Sequence, residues 1–388
     1  MSAREAALEL GPHDDKVFLD GTHRIRRPED TWRIIEPHLR DFGITRVADV
    51  TGLDTLGIPV TMAVRPRAKS LSVSQGKGQT LLLARVSAAM ESIELWHAEH
   101  VKLDRCHVNA PSRAVDLPYR IEDLVTATGG LASDLMPLDW VAATGMISGL
   151  RIPVPDELVR WSTDRGWRPR GLEWSTNGLA SGNSVQEAAL HALFEIVERD
   201  AISRNGEPGE LTYVDPASVD DELCSRLIEK VRAADARVDL SHLPSRFGVP
   251  CFGARIWSPD FPVMSLGWGA HPAPEIALSR AITEAAQSRL GGIAGTRDDL
   301  PAIYDTVKLG NEEPPPPAVV VAWQDLPDVP RRKFTGVKAE LDWISCEVTN
   351  VIGREPLLVD LTTIDEIAVV KVIVPGVSLN LARVHPGA

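Results

Sequence analysis

Acidic side chains recur in pairs at three places in this sequence of 388 residues, each time with the same spacing. The members of the three pairs are Glu91 and Glu94, Glu195 and Glu198, and Glu284 and Gln287. In every copy an alanine stands seven residues before the first member, and these alanines are Ala84, Ala188 and Ala277. Since residues three apart share one face of a helix, each copy predicts a helix that presents two oxygen-bearing side chains in one direction.

Convergence of these helices would crowd five carboxylates into one cavity, where they could not all stay ionised unaided. Mg²⁺ would relieve the repulsion, because it binds oxygen ligands and commonly shares them with a phosphate group. None of the three pairs carries the histidine that di-iron helices place three residues after a glutamate. One acidic pair is common on a solvated helix face, whereas three matched copies favour a magnesium–phosphate site.

Candidate phosphate contacts stand ahead of the first two of these helices. Residues 74–78 contain two glycines that would let the backbone approach an anion at a helix N-terminus. The segment lacks the spacing of a Walker A loop, and by itself it is also typical of an ordinary turn. Asn183 precedes the second helix, where it could equally be an N-cap. Lys16, Thr22 and Arg24 are further candidate donors or, alternatively, parts of a solvated strand and turn.

The elements that must position these residues are long helices alternating with short strands. Helices are predicted over residues 28–42, 80–100, 184–205 and 274–290. Strands are predicted over residues 45–49, 58–65, 140–146, 250–256, 263–269 and 369–374. The glycine-rich stretches 69–78 and 177–183 are predicted as loops. Small and apolar residues surround the acidic pairs, which places them beside the core-facing side of each helix. The interspersed elements predict an α/β (α+β) class.

Composition excludes several classes of protein. The net charge is −13, so a nucleic-acid partner is not expected. No apolar run is long enough to span a bilayer, and the start lacks the order of a signal peptide, so we expect no membrane association and a cytoplasmic location. The four cysteines form no metal-like spacing and are expected to be free thiols. Residues 1–15 are predicted to be a disordered tail and residues 16–388 one domain, with a proline-rich surface loop at 311–318.

Several segments, spread over nearly the whole chain, resemble proteins of the YcaO family. They are GTHR (21–24), GITRVADVTGLDTLGIPV (43–60), SVSQGKG (72–78), SAAMESIE (87–94), NGLASGNSVQEAALHALFEIVERDA (177–201), AITEAAQSR (281–289) and VVKVIVPG (369–376). The resemblance implies a YcaO-type fold with mixed sheets and three long helices whose acidic pairs surround a nucleotide site. It also implies that ATP and Mg²⁺ are the cofactors.

Particular residues take roles from this resemblance. The implied metal-binding residues are Glu91, Glu94, Glu195, Glu198 and Glu284. The implied nucleotide-binding residues are Lys16, Arg24, Ser74, Lys77, Asn183, Arg199, Gln287 and Arg289. Arg199 and Arg289 could instead form ion pairs that hold the acidic helices together. No residue is assigned as a catalytic acid, base or nucleophile.

The activity that the resemblance implies is ATP-dependent O-phosphorylation of a backbone amide in a ribosomally made precursor peptide. Residues 21–24 and 43–60 resemble the subgroup that forms thioamides with a TfuA-like partner protein, and a homodimer is expected from the family. Cyclodehydration to an azoline or a macrocyclic amidine is the alternative within the family. A non-catalytic scaffold that binds ATP or peptide, and a housekeeping protein whose acidic helices have no role, are the alternatives outside it.

Overall fold

A computed structural model describes residues 15–19, 21–124, 132–161, 171–205, 211–295, 313–327 and 329–380. The helices in this part of the chain are α1 (Pro28–Ile35), α2 (Leu81–His100), α3 (Asp156–Val159), α4 (Val185–Asn205), α5 (Glu222–Ala233), α6 (Pro274–Ala294) and α7 (Val337–Ile352). The strands are β1 (Val17–Leu19), β2 (Thr22–Arg24), β3 (Arg46–Asp49), β4 (Val60–Val64), β5 (Val73–Lys77), β6 (Arg105–Pro111), β7 (Pro137–Gly145), β8 (Arg151–Pro155), β9 (Leu179–Gly182), β10 (Thr212–Val214), β11 (Arg237–Leu243), β12 (Cys251–Ser258), β13 (Phe261–Ala270), β14 (Leu357–Asp360) and β15 (Ala368–Ile373).

The strands form four sheets. Their orders are β1-β2, β3-β4-β5, β10-β11-β12-β13, and β6-β7-β14-β15-β9 with β8 paired to β7. Each pair of these strands is antiparallel, and a single bridge between Val214 and Val321 is parallel. Helices and strands are interspersed along the chain, which confirms the predicted α/β (α+β) class.

Three strand–helix units, β5–α2, β9–α4 and β13–α6, repeat one packing arrangement. The strand of each unit is the edge of its sheet, and the following helix packs against it at a glycine. A Cβ placed at Gly76, Gly182 or Gly267 would lie 2.1, 2.6 or 2.1 Å from a backbone nitrogen of the helix. Those nitrogens belong to Ala88, Ala188 and Ala285. Small residues at the contact therefore let helix and strand backbones approach closely.

The units are also arranged in a ring. Helix α2 packs against β9 of the second unit, α4 against β13 of the third, and α6 against β5 of the first. The outer faces of the helices are covered by hydrophobic clusters. One joins α2 to β7, another joins α4 to β15 and α7, and a third joins α6 to α5 and β12. This ring turns the acidic residues of all three helices towards a common centre.

Two predicted loops prove to contain strands, so those two predictions were wrong. Strand β5 lies within the predicted loop 69–78, and β9 lies within the predicted loop 177–183. The glycines that suggested loops are strand residues whose missing side chains make room for a helix.

Other expectations fall partly outside the described residues. Helix α1 ends at Ile35 and a 3₁₀ turn replaces its predicted continuation, because Pro37 has no backbone N–H to donate. Of the predicted disordered tail, 1–15, residues 1–14 lie outside the described part of the chain, and so do residues 311 and 312 of the predicted proline-rich loop, 311–318. From Glu313 onward the proline-rich segment has no helix or strand, and Arg237 donates a 2.7 Å hydrogen bond to the Glu313 carboxylate.

Candidate active site

A cavity of about 1050 Å³ lies where α2, α4 and α6 converge. Its lining contains both members of each acidic pair, together with candidates from the neighbouring strands and helices. The acidic pairs therefore meet in one place, an arrangement that the resemblance implied and that their spacing alone left open. The other sequence candidates that line the cavity are Thr22, Arg24, Lys77, Asn183 and Arg199.

The second member of two pairs binds the edge strand of the next unit. Ser181 of β9 donates to the Glu94 carboxylate from its backbone nitrogen at 2.8 Å and from its hydroxyl at 2.6 Å. The Gln287 amide donates to the carbonyl oxygen of Gln75 on β5 at 3.3 Å. Glu198 has the equivalent position on α4, but the described residues supply it with no hydrogen-bond partner. Side chains of α2 and α6 therefore hydrogen-bond to the edge strands β9 and β5, whereas α4 makes no such contact with β13 in the described residues.

Three carboxylates, those of Glu94 on α2 and of Glu195 and Glu198 on α4, lie where ionisation is unfavourable. Burial raises the pKa of Glu94 to about 8, although the hydrogen bonds from Ser181 oppose the rise. Burial also raises the pKa of Glu198 to about 7, with a further contribution from the nearby Glu284. The pKa of Glu195 is raised by burial as well, against the opposing charge of Arg199, whose guanidinium lies 3.2 Å from it. A bound cation would favour ionisation of all three.

Glu284 behaves differently from these acids. Burial alone would raise its pKa, but the Lys77 ammonium, which pairs with it directly, holds that pKa below the ordinary value. The pair joins β5 of the first unit to α6 of the third. One carboxylate of the cluster therefore already has a cation beside it.

Mg²⁺ fits this donor set only as part of a shared site. No three His, Cys, Asp or Glu side chains in the described ranges lie close enough together to hold one ion. Mg²⁺ usually takes one or two carboxylates and completes its shell with waters and substrate phosphates. The cluster is therefore suited to a metal that arrives with a phosphorylated ligand.

Buried donors that line the cavity point to such a ligand. Within the described residues, Gln75 Nε2, Arg280 Nε and Trp268 Nε1 are buried without a hydrogen-bond partner. His191 also lines the cavity, and its Nε2 lies 3.3 Å from the Arg280 guanidinium. Burial lowers the pKa of His191 well below its usual range, with help from Arg24 and Arg280, so the imidazole is neutral. Donors without partners are costly unless a ligand or water accepts from them.

These donors were missed by the sequence reasoning, although their spacing carried a signal. His191 and Arg280 each stand four residues before the first acidic member on their helices, and residues four apart share a face. Gln75 stands two residues before Lys77 in β5, and alternate strand residues point to the same side. The same alternation explains why Ser74, the residue before Gln75, does not line the cavity.

Asn183 belongs to a buried hydrogen-bond network at the start of α4. Its side-chain amide donates to Glu187 at 2.8 Å, and its amide oxygen accepts from the Thr31 hydroxyl at 2.8 Å. The other carboxylate oxygen of Glu187 accepts from the backbone of Ile25 at 2.7 Å. This network fixes β2 against α4 and so positions Arg24 at the cavity wall.

Three predicted nucleotide contacts do not line the cavity in the described residues. The ammonium of Lys16 pairs with the buried Glu340 of α7. Ser74 is buried on the side of β5 that faces away from the cavity. Arg289 is buried and forms ion pairs with Asp54 at 3.1 Å and Asp260 at 3.2 Å. Arg289 does form ion pairs, as the alternative interpretation proposed. However, its partners Asp54 and Asp260 lie in neighbouring loops and not on the other acidic helices.

Comparisons with known proteins identify relatives over most of the chain. The sequence model of a family described as YcaO cyclodehydratase, binding ATP and Mg²⁺, matches residues 75–378. An uncharacterised protein of Mycobacterium tuberculosis (strain H37Rv) is 40% identical over 381 residues, which are 93% of this chain and 84% of that protein. A protein encoded in the tfuA 3′ region of Rhizobium leguminosarum bv. trifolii is 40% identical over 295 residues, or 71% and 69% of the two chains.

A solved structure supports the same relationship. YcaO from Methanopyrus kandleri, bound with AMPPCP and Mg²⁺, superimposes with a TM-score of 0.71 at 27% identity. The match covers 94% of this chain and 95% of that one. The predicted YcaO-type fold is confirmed, and ATP and Mg²⁺ are confirmed as ligands at the level of the family. Among the described helices, none has the length and apolar character that crossing a membrane requires.

Proposed function

The chain belongs to the YcaO family, and from that premise we propose that it uses ATP with Mg²⁺ to convert a backbone amide of a precursor peptide into a thioamide. The observation that carries the proposal is the cavity, whose lining combines five carboxylates with Arg24, Arg199 and Arg280. The carboxylates suit a divalent cation, and the guanidinium groups suit the phosphate oxygens that would share it.

The residues of the cavity have separate tasks in this reaction. One or two carboxylates at a time from the set Glu91, Glu94, Glu195, Glu198 and Glu284 would hold Mg²⁺, which neutralises phosphate charge when bound. Arg24 and Arg280 lie where their guanidinium groups can bind phosphate oxygens, and Lys77 can do the same as its pair with Glu284 adjusts.

The chemistry explains why ATP is needed. An amide oxygen is a poor leaving group, and transfer of the γ-phosphoryl group to it creates a good one. Sulfide adds to the carbonyl carbon, the oxygen takes the phosphoryl group, and phosphate then leaves as the carbon–sulfur double bond forms. The products are the thioamide, ADP and phosphate. Positioning and charge neutralisation are what the protein must supply.

Two observations favour sulfide as the nucleophile. The relative from Rhizobium leguminosarum is encoded beside tfuA and is 40% identical to this chain. Arg24, in the segment that resembles the thioamide-forming subgroup, lines the cavity. A TfuA-like protein is accordingly the proposed partner.

Cyclodehydration is the second candidate, because the description of the matching family names that activity. ATP would be used in the same way, and a side chain of the peptide would replace sulfide as the nucleophile. The expected peptide product would then lack one water.

Intact mass of a candidate precursor peptide distinguishes the two reactions. The peptide is incubated with the protein, MgATP and sulfide, with and without the TfuA-like protein. A gain equal to exchange of one oxygen for one sulfur is the expected result. A mass loss equal to one water would show that the reaction is cyclodehydration and not thioamidation. An unchanged mass with every candidate peptide would contradict both proposals.

A further inference from the structure

Strand β13 borders the cavity with its edge and not with one face. Side chains of consecutive residues in a strand point to opposite faces, so a cavity against one face would be lined by every second residue. Here Ser265 and Leu266, which pair in regular register with Ile256 and Arg255 of β12, both line the cavity. Val263 and Met264, in the irregular stretch that precedes them, line it as well. Since β13 is the last strand of its sheet, the side that it turns to the cavity carries backbone groups directed away from β12.

This edge is open where its two counterparts are closed. The Glu94 carboxylate accepts a hydrogen bond from the backbone N–H of Ser181 on β9, and the Gln287 amide donates one to the backbone carbonyl of Gln75 on β5. In the described part of the chain, Ser265 and Leu266 pair with no strand other than β12, and the register shift between β12 and β13 leaves Val263 and Met264 without a paired strand residue. Strand edges left open in this way are templates for pairing with another extended chain.

The open edge leads to the acidic cluster. Gly267, the next residue of β13, lies against α6 so closely that a Cβ there would be 2.7 Å from the carbonyl carbon of Glu284. Val263, Met264 and Leu266 are half-buried apolar side chains, which suit contact with uncharged residues of an extended peptide. A chain paired with these residues would continue to the position where Mg²⁺ and phosphate are expected.

The hairpin that carries the edge is firmly held. Arg289 of α6 donates to the Ser258 hydroxyl at 2.7 Å and pairs with Asp260, and both of these residues lie at the β12–β13 turn. Its remaining contact with Asp54 fastens the turn to another loop. A preorganised edge loses less entropy on binding an extended chain than a mobile one would.

We propose that the peptide substrate binds by strand addition to β13, pairing its backbone with residues 263–266 so that the amide to be modified lies beside Glu284. The inference rests on the proposed function, since it names how that reaction takes its substrate. It commits the site to an extended, uncharged stretch of peptide flanking the modified amide.

Proline substitution at two adjacent residues tests this pairing. Ser265→Pro and Leu266→Pro each remove one N–H, and neighbouring amides in this regularly paired part of β13 point to opposite sides, one to β12 and one to the cavity. We expect one variant to keep the wild-type unfolding temperature and MgAMPPCP affinity, while its kcat/KM for the precursor peptide falls about tenfold or more. The other variant should lose stability. A folded edge variant with wild-type kcat/KM would overturn the inference.

Hydrogen exchange provides a second measurement if neither variant folds. Adding the precursor peptide to the wild-type protein with MgAMPPCP should slow exchange within residues 263–266, while residues 73–77 exchange as they do with MgAMPPCP alone. Unchanged exchange in 263–266 overturns strand addition, even if the peptide is still converted. Failure to modify any precursor overturns the proposed function and this inference together, so the two failures can be told apart.

Discussion

The α4 side of the cavity and the α6 side hold similar carboxylates in opposite electrostatic states. Glu198 on α4 is buried with no hydrogen-bond partner in the described residues, and burial raises its pKa to about 7. Glu284 on α6 pairs with Lys77, which holds its pKa below the ordinary value. The comparison indicates that a directly paired cation keeps Glu284 ionised at this depth, whereas the charge of Arg199 is too small a contribution to offset the effect of burial on the α4 carboxylates.

The largest expected effect comes from neutralising the α4 side. Glu195→Gln should lower ATP turnover about a hundredfold or more, because it removes a candidate ligand of Mg²⁺ while keeping the shape of the side chain. The folded protein should be as stable as wild type, since the variant removes a buried negative charge. Turnover and thermal unfolding measure the two effects.

The matched control is Glu229→Gln, which neutralises an exposed glutamate on α5 far from the lining of the cavity. It should leave both quantities unchanged. Full activity in a well-folded Glu195→Gln protein would contradict the assignment of Glu195 as a ligand of Mg²⁺.

An intermediate effect is expected from removing the cation on the α6 side. Lys77→Gln leaves Glu284 buried without its partner, so the pKa of Glu284 should rise and MgATP affinity at neutral pH should weaken by about tenfold. Lys338→Gln, which breaks an exposed pair with Asp342, is the control and should have no effect. Calorimetric titration with MgAMPPCP makes the comparison, and equal affinities for the two variants would show that Lys77 has no part in binding.

A pH series should show the same asymmetry. Metal binding requires ionised carboxylates, so Mg²⁺ affinity should rise with pH through about 7 to about 8, the pKa values of Glu198 and Glu94. Between the ordinary carboxyl pKa and about 8, the ligand-free fold binds protons that the unfolded chain has released. Its stability should therefore fall as pH rises through this window.

Both trends are measurable on one protein. Proton release on binding of Mg²⁺ is read by calorimetry in two buffers, and unfolding temperature is recorded with and without MgAMPPCP. Saturating MgAMPPCP should flatten the decline in stability. Mg²⁺ affinity that is constant from pH 6 to pH 8 would be incompatible with buried, protonated acids at this site.

The smallest effect should follow from Ser181→Ala. The Ser181 hydroxyl lies 2.6 Å from the Glu94 carboxylate and lowers its pKa, so its loss should raise that pKa further. Mg²⁺ affinity at neutral pH should fall a few-fold, whereas the difference should vanish above pH 9 once Glu94 is ionised. A difference that persists at high pH would mean that the hydroxyl acts on the shape of the site and not on this pKa.

How far the sequence predicts the molecule depends on whether a feature repeats. The three acidic helices were predictable, because a common alanine-to-glutamate spacing marks one face of each, whereas their convergence was implied only by the resemblance to the family. Strands β5 and β9 were not predicted, because Gly76 and Gly182 were interpreted as turn residues. Both glycines lie in strands, where the absence of a side chain lets a helix backbone approach.

Contacts between distant parts of the chain were not predictable. His191 and Arg280 hold equivalent positions, four residues before the first acidic member of their helices, but this spacing does not indicate that the fold brings them within 3.3 Å of each other. Lys16 and Arg289 were assigned to the nucleotide by resemblance, yet their carboxylate partners, Glu340, Asp54 and Asp260, lie far away in sequence. Such long-range ion pairs have no local signal.

The fate of the amide oxygen tests the central claim most directly. A precursor peptide is synthesised with a heavy-oxygen label in the backbone carbonyls and is incubated with the protein, MgATP and sulfide in unlabelled water. Activation by phosphoryl transfer predicts that the label appears in inorganic phosphate, in an amount equal to the thioamide formed. Modified peptide accompanied by wholly unlabelled phosphate would contradict O-phosphorylation of the amide by this cavity.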